Sequence, residues 1–199
     1  MPPLERSDLA LHPMEQFADW YERAAAEVPL ADAVCLATVD ADGAPDARMV
    51  LLKGFDAQGF RFHTNYDSAK AEQLAAQPQG ALVFYWRELD RQVRVRGAVE
   101  RLAPEESDRY FATRPRQSQL AAAASPQSRS LRDRGELDAL VDEAMRRFEG
   151  DEVPRPEGWG GYLLRPVGVE FWQGQVARLH DRFRYVPEGA GWRIERLAP

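Results

Sequence analysis

Two cations enclose an apolar segment of this sequence, where an ion without a partner is energetically costly. Arg48 and Lys53 lie at the ends of the run Met49–Leu52, which is too continuous for a half-exposed strand and is therefore expected to be buried on both faces. The segments that follow add hydroxyl and ammonium groups suited to phosphate oxygens: Thr64, Ser68 and Lys70. This pattern predicts a binding site for an anionic ligand.

A second candidate site is centred on Arg114, which has a hydroxyl-bearing residue four positions away on either side. Tyr110, Arg114 and Ser118 would align on one side of a continuous helix, although Pro115 disturbs that register. Two hydroxyl groups beside a guanidinium form a set of donors from which an anion can accept hydrogen bonds. The spacing therefore favours a second anion site.

The third and most specific cluster lies near the end of the chain. An apolar segment ends in Trp172, and a short break leads to Arg178, His180 and Arg182 at alternating positions. Alternation predicts that the three side chains point to one face of a strand. Two guanidinium groups around an imidazole repel one another unless an anionic or aromatic group lies between them, so the cluster favours a charge-delocalised aromatic ligand.

Each cluster also has a purely structural interpretation. Arg48 and Lys53 could cap the ends of a strand and pair with surface carboxylates. The residues around Arg114 could be a solvated helix end. The last cluster could be a basic surface strand, although this leaves the neighbouring Trp172 and Phe171 unexplained.

The charge and the rare metal-binding residues exclude several classes of function. The 199 residues carry 26 Lys+Arg and 32 Asp+Glu, a formal charge of −6, so nucleic acid is not expected as a partner. The three histidines are far apart, and neither a glycine-rich phosphate loop nor a Gly-x-Ser-x-Gly motif occurs. No apolar run approaches the roughly 18 residues of a membrane span, and no export signal opens the chain. We expect a soluble, cytoplasmic protein without a metal centre.

Cys35 is the only cysteine of the chain. An intramolecular disulfide and a Cys-x-x-Cys redox pair are therefore excluded, which suits a reducing compartment. Because Cys35 lies in an apolar strand segment without a basic neighbour, we expect a packed core thiol.

The first half of the chain predicts one helix followed by closely spaced strands. Residues 12–27 place apolar side chains at spacings of three and four, which indicates an amphipathic helix. Five short β-rich segments follow, and the turns between them are short enough for hairpins: 33–39, 47–53, 60–64, 81–86 and 92–102. We therefore expect an antiparallel meander or barrel, with helices flanking a mainly β domain.

The second half predicts helices and a return to strands. Helices are expected at 68–77, 104–113 and 134–149, while 121–130 is interpreted as a loop or a short broken helix. Strands are expected at 161–172, 182–186 and 192–197. Without an internal repeat or a long linker, residues 1–199 are predicted to form a single domain.

Five separated blocks of this chain resemble the flavin-dependent pyridoxine/pyridoxamine 5′-phosphate oxidases. The 170–182 segment is similar to the signature of that family, within a C-terminal region of about 159–199. The remaining blocks agree in order: Arg48–Lys53, Arg91–Val93, Tyr110–Gln119 and Trp159–Gly161. The resemblance implies an FMN-binding split β-barrel that forms a homodimer, with the site at the subunit interface.

The resemblance also implies which residues bind FMN. Arg48 and Lys70 would hold the FMN phosphate with help from Thr64, and Gln92, Trp172 and Arg182 would contact the flavin. The full implied set is Arg48, Met49, Val50, Leu51, Leu52, Lys53, His63, Thr64, Ser68, Lys70, Gln92, Gln127, Ser128, Trp172 and Arg182. Two positions depart from the family pattern: Ala69 replaces a basic residue that many members carry, and His63 replaces a more usual tyrosine.

The implied reaction is oxidation of pyridoxamine 5′-phosphate or pyridoxine 5′-phosphate to pyridoxal 5′-phosphate. Molecular oxygen would be the acceptor and hydrogen peroxide the second product. The substrate phosphate would be bound by Lys53, Tyr110, Arg114 and Ser118, and the catalytic pair Arg178 and His180 would face the pyridine ring. Two alternatives remain open: a related flavin oxidase of another ring metabolite, and a protein that binds FMN or pyridoxal phosphate without turnover.

Overall fold

The computed structural model describes residues 2–199, which form nine strands and five α-helices. The strands are β1 Ala33–Val39, β2 Pro45–Leu51, β3 Gly54–Asp56, β4 Gly59–Asn65, β5 Gln79–Trp86, β6 Arg91–Arg101, β7 Trp159–Gln173, β8 Asp181–Glu188 and β9 Gly191–Leu197. The helices are α1 Pro13–Glu27, α2 Ala69–Ala76, α3 Pro104–Ala112, α4 Arg116–Ala124 and α5 Arg134–Arg147. Within residues 2–199, no helix is long and apolar enough to cross a bilayer.

All the strands pair antiparallel in one sheet with the order β2-β1-β5-β6-β7-β4-β3, and β8 and β9 continue from β7. At the far end of β2, the backbone N–H of Lys53 donates to the carbonyl of Arg61 in β4 at 2.8 Å, which brings the two ends of the sheet together. The predicted fold class, an antiparallel split barrel with flanking helices, is confirmed.

The long strand β7 divides the sheet into two lobes. Its first half pairs with β4 and its second half with β8, while β6 runs along the other edge. The register between β6 and β7 shifts at Gly97, where a Cβ atom would lie 1.8 Å from the carbonyl oxygen of Arg165. Only glycine allows this close backbone approach, which bends the sheet.

Aromatic side chains fill the core under α1. Phe17 is fully buried and packs edge-on against Phe60 and close to Phe84. The predicted helix at 12–27 is confirmed, with His12 as its N-cap: the His12 Nδ1 atom accepts from the Met14 backbone N–H at 3.2 Å. Helix α1 thereby covers one face of the sheet.

The burial predicted for Met49–Leu52 is wrong for most of this run. Met49 is 63% exposed and Leu51 is also exposed, and only Leu52 is buried. The reason is topological, because β2 pairs with β1 alone along its length and presents one face outward. Cys35 is directly opposite Met49 on that face and is only partly buried, so the predicted core position of this thiol is also wrong.

Two local predictions differ from the structure in detail. Residues 121–124 complete helix α4, and only 125–130 form a loop. Strand β3 was not predicted because three residues are too short to show a periodic pattern. The other predicted helices and strands are confirmed within a few residues of their expected bounds.

Candidate active site

A cavity of about 430 Å³ opens between β2, β4 and the helices α3 and α4. It brings together residues that are far apart in the sequence and that were predicted to bind either FMN or the substrate. The predicted residues that line it are Met49, Val50, Leu51, Lys53, His63, Thr64, Lys70, Tyr110, Arg114, Ser118 and Gln127.

Lys70 is a buried cation that has no acidic partner among residues 2–199. Its side chain is on α2, and the residue is 8% exposed. The Nζ atom donates only to neutral oxygens, at 3.1 Å to Thr64 Oγ1, 3.3 Å to Ser68 Oγ and 3.2 Å to Gln127 Oε1. Burial lowers the pKa of Lys70, and the nearby charge of Arg48 adds to this effect. An anion bound beside Lys70 would supply the missing negative charge.

The segments around Lys70 are held by hydrogen bonds between distant parts of the chain. The buried Ser68 hydroxyl donates to the Asn65 carbonyl at 2.7 Å, which fixes the start of α2. From the loop 125–130, the Gln127 side chain reaches the Thr64 hydroxyl at 2.8 Å. Ser128 lies in the same loop with a left-handed φ of 71° and does not line the cavity.

Arg48 and Lys53 have the surface carboxylate partners that the structural interpretation predicted. Arg48 contacts Asp46 at 2.5 Å, and Lys53 contacts Asp32 at 3.0 Å. Arg48 also donates to the Thr38 hydroxyl at 2.6 Å. Lys53 lines the cavity, and Arg48 does not. Of these two cations, only Lys53 therefore faces the cavity.

A second cation without a partner is Arg114, between α3 and α4. Pro115 breaks the helix, yet Tyr110, Arg114 and Ser118 all line the cavity because α4 starts again at once. The Arg114 guanidinium lies 4.7 Å above the ring of Trp159, and its buried NH1 atom has no hydrogen-bond partner among residues 2–199. Burial lowers the pKa of Arg114. This cation is placed to bind a second anion.

Trp159 was not predicted as a site residue, although it lines the cavity and supports Arg114. The signal in the sequence is the glycine pair that follows it. A Cβ atom at Gly160 would lie 2.1 Å from the Tyr66 hydroxyl, so glycine allows the backbone of β7 to lie close to the Tyr66 side chain.

His63 is neutral and packed among aromatic rings. Its ring centroid is 4.1 Å from that of Tyr110 and 5.3 Å from that of Trp159, in stacked geometry. Both ring nitrogens are buried without a hydrogen-bond partner in the described chain. Burial lowers the pKa of His63 to about 4, and the charges of Arg114 and Lys53 contribute.

This lowered pKa predicts a loss of stability in mild acid. The unfolded chain takes up the proton near pH 6.5, while folded His63 resists protonation down to about pH 4, so the stabilisation falls as the pH drops through this window. In chemical denaturation at a series of pH values, we expect His63→Phe to remove about 3 kcal/mol of this dependence. His12→Asn keeps a capping acceptor and serves as the control. An unchanged pH dependence in His63→Phe would contradict a neutral His63.

Most of the remaining predicted residues lie outside the cavity, on β6, β7 and β8 and in the loop that joins β7 to β8. Gln92 is opposite Trp172 and Trp172 is opposite Arg182, so the three form a row across one face of the sheet. Arg182 contacts Glu170 at 2.9 Å. The His180 ring lies 4.6 Å from that of Trp172. We call Gln92, Trp172, Arg178, His180 and Arg182 the signature row.

The prediction that Arg178, His180 and Arg182 alternate along one strand is wrong. Arg178 ends a 3₁₀ turn at Val176–Arg178 and is exposed, and β8 begins only at Asp181. Only Arg182 is a strand residue. None of the signature row lines the cavity, nor do Leu52 and Ser68, which are buried.

Two family models cover most of this chain. The model described as pyridoxamine 5′-phosphate oxidase matches residues 21–146. The model described as the pyridoxine 5′-phosphate oxidase C-terminal dimerisation region matches residues 159–199. The first contains the residues of the cavity except Trp159, and the second contains most of the signature row.

Relatives from other bacteria are similar over nearly the whole chain. The pyridoxine/pyridoxamine 5′-phosphate oxidase of Rubrobacter xylanophilus is 55% identical over 188 residues, which is 94% of this chain and 87% of the relative. The protein of the same description from Bordetella petrii is 52% identical over 192 residues, covering 96% and 90%.

Solved structures have the same fold. PhzG from Burkholderia lata, in complex with tetrahydrophenazine-1-carboxylic acid, superposes with a TM-score of 0.93 at 31% identity over 100% of this chain and 99% of that one. A pyridoxamine 5′-phosphate oxidase-related, FMN-binding protein from Nostoc punctiforme gives 0.76 at 20% identity over 96% and 100%. Sequence and fold agree, and the chain belongs to the pyridoxamine 5′-phosphate oxidase family.

Proposed function

We propose that this protein is an FMN-dependent oxidase that converts pyridoxamine 5′-phosphate or pyridoxine 5′-phosphate to pyridoxal 5′-phosphate, with O₂ as acceptor and H₂O₂ as product. The observation that carries this proposal is a pair of cations in one cavity that have no acidic partner among residues 2–199: Lys70, which is buried, and Arg114, whose NH1 atom is buried. Two phosphorylated ligands, a cofactor and a substrate, would satisfy both. The single cysteine, Cys35, supports placing the activity in the reducing cytoplasm.

The residues around Lys70 fit the phosphate of FMN. The ammonium of Lys70 and the hydroxyl of Thr64 would bind its oxygens, and Gln127 would exchange its present contacts for contacts with the cofactor. Arg48 can join them by giving up part of its contact with Asp46, whose carboxylate is half exposed. The chemistry that FMN supplies when bound is removal of a hydride equivalent from the substrate's 4′ carbon, with transfer of the electrons to O₂.

The residues around Arg114 would hold the substrate phosphate. Tyr110, Ser118 and Lys53 place hydroxyl and ammonium groups in the same cavity. Because α3 and α4 are fixed by the packing of Phe111 and Leu120, Tyr110 and Ser118 are held in place before the substrate binds. Fixing the phosphate limits the positions of the 4′ carbon and makes the reaction effectively intramolecular.

We further propose that the site is completed by a second copy of the chain. The outward face of β1, β2 and β5 exposes Met49, Leu51 and Tyr85, and Tyr85 is in register with Gln92 of the signature row. An exposed apolar sheet face of this kind favours self-association. A two-fold axis would place the signature row of one subunit against the cavity of its partner. Arg178 and His180 would then face the substrate ring.

Subunit mixing tests this shared site. We expect Lys70→Met, altered in the cavity, and Arg178→Ala, altered in the signature row, each to be nearly inactive, with Arg178→Ala losing turnover more than thermal stability. Random exchange of subunits makes about half of the dimers mixed, each with one intact site, so activity should return to about one quarter of the parent value. A mixture that stays inactive after proven exchange would contradict the shared site.

An anaerobic mixing experiment tests the function itself. The purified protein is expected to be yellow, pyridoxamine 5′-phosphate should bleach it in the absence of oxygen, and admitting air should restore the colour with release of peroxide. A protein that takes up no FMN would overturn the proposal. A protein that takes up FMN but is not bleached would be a binding protein without turnover.

One observation favours a second candidate, an oxidase of another ring metabolite. The structure of PhzG, which superposes with a TM-score of 0.93, is a complex with tetrahydrophenazine-1-carboxylic acid, a ring compound that carries no phosphate group. The NH1 atom of Arg114, buried and without a hydrogen-bond partner among residues 2–199, favours the phosphorylated substrate here. Comparing pyridoxamine 5′-phosphate with tetrahydrophenazine-1-carboxylic acid as substrates separates the two candidates.

A further inference from the structure

The loop between β7 and β8 is held in a strained conformation. Ala177 and Arg178 both have left-handed backbone angles, with φ of 56° and 62°. For residues other than glycine this conformation is sterically unfavourable, because the Cβ atom lies too close to the following carbonyl oxygen. Val176 is 86% exposed and Leu179 is also exposed, so apolar packing does not hold the loop. Polar contacts at its two ends must do so.

Gln175 and Asp181 close this loop. The Gln175 side-chain amide donates to Asp181 Oδ2 at 2.9 Å, which joins the residue before the turn to the first residue of β8. The backbone N–H of Gln175 donates to His180 Nδ1 at 3.1 Å. The two bonds fix both the ends of the loop and the ring of His180.

Asp181 also ties the loop to the rest of the molecule. It is 6% exposed and accepts from the Leu4 backbone N–H at 3.0 Å and from Arg196 NH1 at 2.9 Å. Burial alone would raise the pKa of Asp181, but the hydrogen bonds from Leu4, Gln175 and Arg196 lower it below its ordinary value. The carboxylate is therefore ionised and serves as the fixed anchor of the loop.

The contact at His180 determines where its proton lies. In a neutral imidazole one nitrogen donates and the other accepts. Because Nδ1 accepts from the Gln175 backbone, the proton must be on Nε2. His180 therefore presents an N–H donor next to Trp172, whose ring is 4.6 Å away.

From this geometry we infer that Gln175 and Asp181 are positioning residues, which hold the strained loop closed and keep His180 as the Nε2–H tautomer before any ligand binds. His180 then donates to a hydrogen-bond acceptor on the substrate ring, an inference that rests on the proposed function. The substrate meets a donor whose direction is already set, so binding does not have to order the loop.

Nitrogen NMR of histidine tests the tautomer directly in the free protein. The chain has three histidines, so ¹⁵N-histidine labelling gives three ring systems, which single substitutions at His12 and His63 assign. We expect His180 to show a protonated Nε2 and an unprotonated Nδ1. In Gln175→Leu we expect a mixture of tautomers, a rise of about tenfold in KM for pyridoxamine 5′-phosphate, and an FMN Kd within about twofold of the parent.

Gln173→Leu is the matched control. Gln173 donates to the Pro2 carbonyl at 2.9 Å, as Gln175 also does at 3.2 Å. Gln173 pairs with Asp181 through the strand register, but its side-chain amide does not donate to Asp181 as that of Gln175 does. The His180 tautomer should be unchanged in this variant. If Gln175→Leu does not fold, Asp181→Asn, which keeps an acceptor oxygen but loses the charge, replaces it with the same expected shift.

Two results would overturn the inference: a parent His180 protonated on Nδ1, or a Gln175→Leu variant with unchanged tautomer and KM. Failure of the proposed function gives a different result, since a parent protein that does not oxidise pyridoxamine 5′-phosphate could still show the Nε2–H tautomer in the free state.

Discussion

The Lys70→Met variant is expected to bind FMN about 100-fold more weakly than the parent, because hydrogen bonds to charged groups are each worth about 1.5–3 kcal/mol. Ala69 offers no second cation at the start of α2, so Lys70 is the cation of that helix that lines the cavity. The free protein should behave differently. Its buried ammonium contacts neutral oxygens, so the desolvation of the charge costs stability. An apolar side chain of similar length removes this desolvation cost.

The measurement is FMN titration by flavin fluorescence together with thermal unfolding of the FMN-free protein. We expect weaker FMN binding and a Tm equal to or above that of the parent. Arg129→Met is the matched control, because Arg129 contacts Glu72 on the same helix but is exposed and does not line the cavity. A Lys70→Met variant that retains FMN, or that loses affinity only because it unfolds, would contradict the assignment.

Arg114→Met is expected to abolish the preference for phosphorylated substrates. Removing the guanidinium should raise KM for pyridoxamine 5′-phosphate about 100-fold, the loss of one or two charge-assisted contacts. Unphosphorylated pyridoxamine does not use this contact, so its kcat/KM should be nearly unchanged. The ratio of kcat/KM for the two substrates is the quantity to measure.

Arg109→Met is the control for this experiment, since Arg109 is exposed on α3 and does not line the cavity. The FMN Kd of Arg114→Met should match that of the parent, which separates the two anion sites. Equal losses on both substrates would indicate a structural role for Arg114 and would favour the second candidate function.

Features set by local pattern were predicted well. The β-rich run of β1 predicted its bounds of 33–39. In the structure Val34, Leu36 and Thr38 are the buried positions of this strand. The sequence also grouped Lys70 with Thr64 and Ser68, and the structure places their side chains in contact. That this group binds an anion stays a prediction.

Features set by long-range contacts were not predicted. The apolar run Met49–Leu52 suggested burial, but whether a strand is covered depends on what pairs with its outer face. Arg178, His180 and Arg182 alternate as strand residues do, yet bonds between Gln175, His180 and Asp181 hold a 3₁₀ turn instead. The first error occurs where a distant part of the chain decides burial. The second occurs where polar contacts within residues 175–181, anchored to Leu4 through Asp181, override the strand pattern.

The exposed Met49 and Tyr85 of the outer sheet face link the concentration of active sites to the pairing of chains. If active sites exist only in paired chains, dilution below the dissociation constant of the pair makes the number of sites fall with the square of the chain concentration. A ligand held by both chains pulls the equilibrium back toward pairs by mass action. The FMN concentration would then determine the fraction of chains that are paired as well as the fraction that carry FMN.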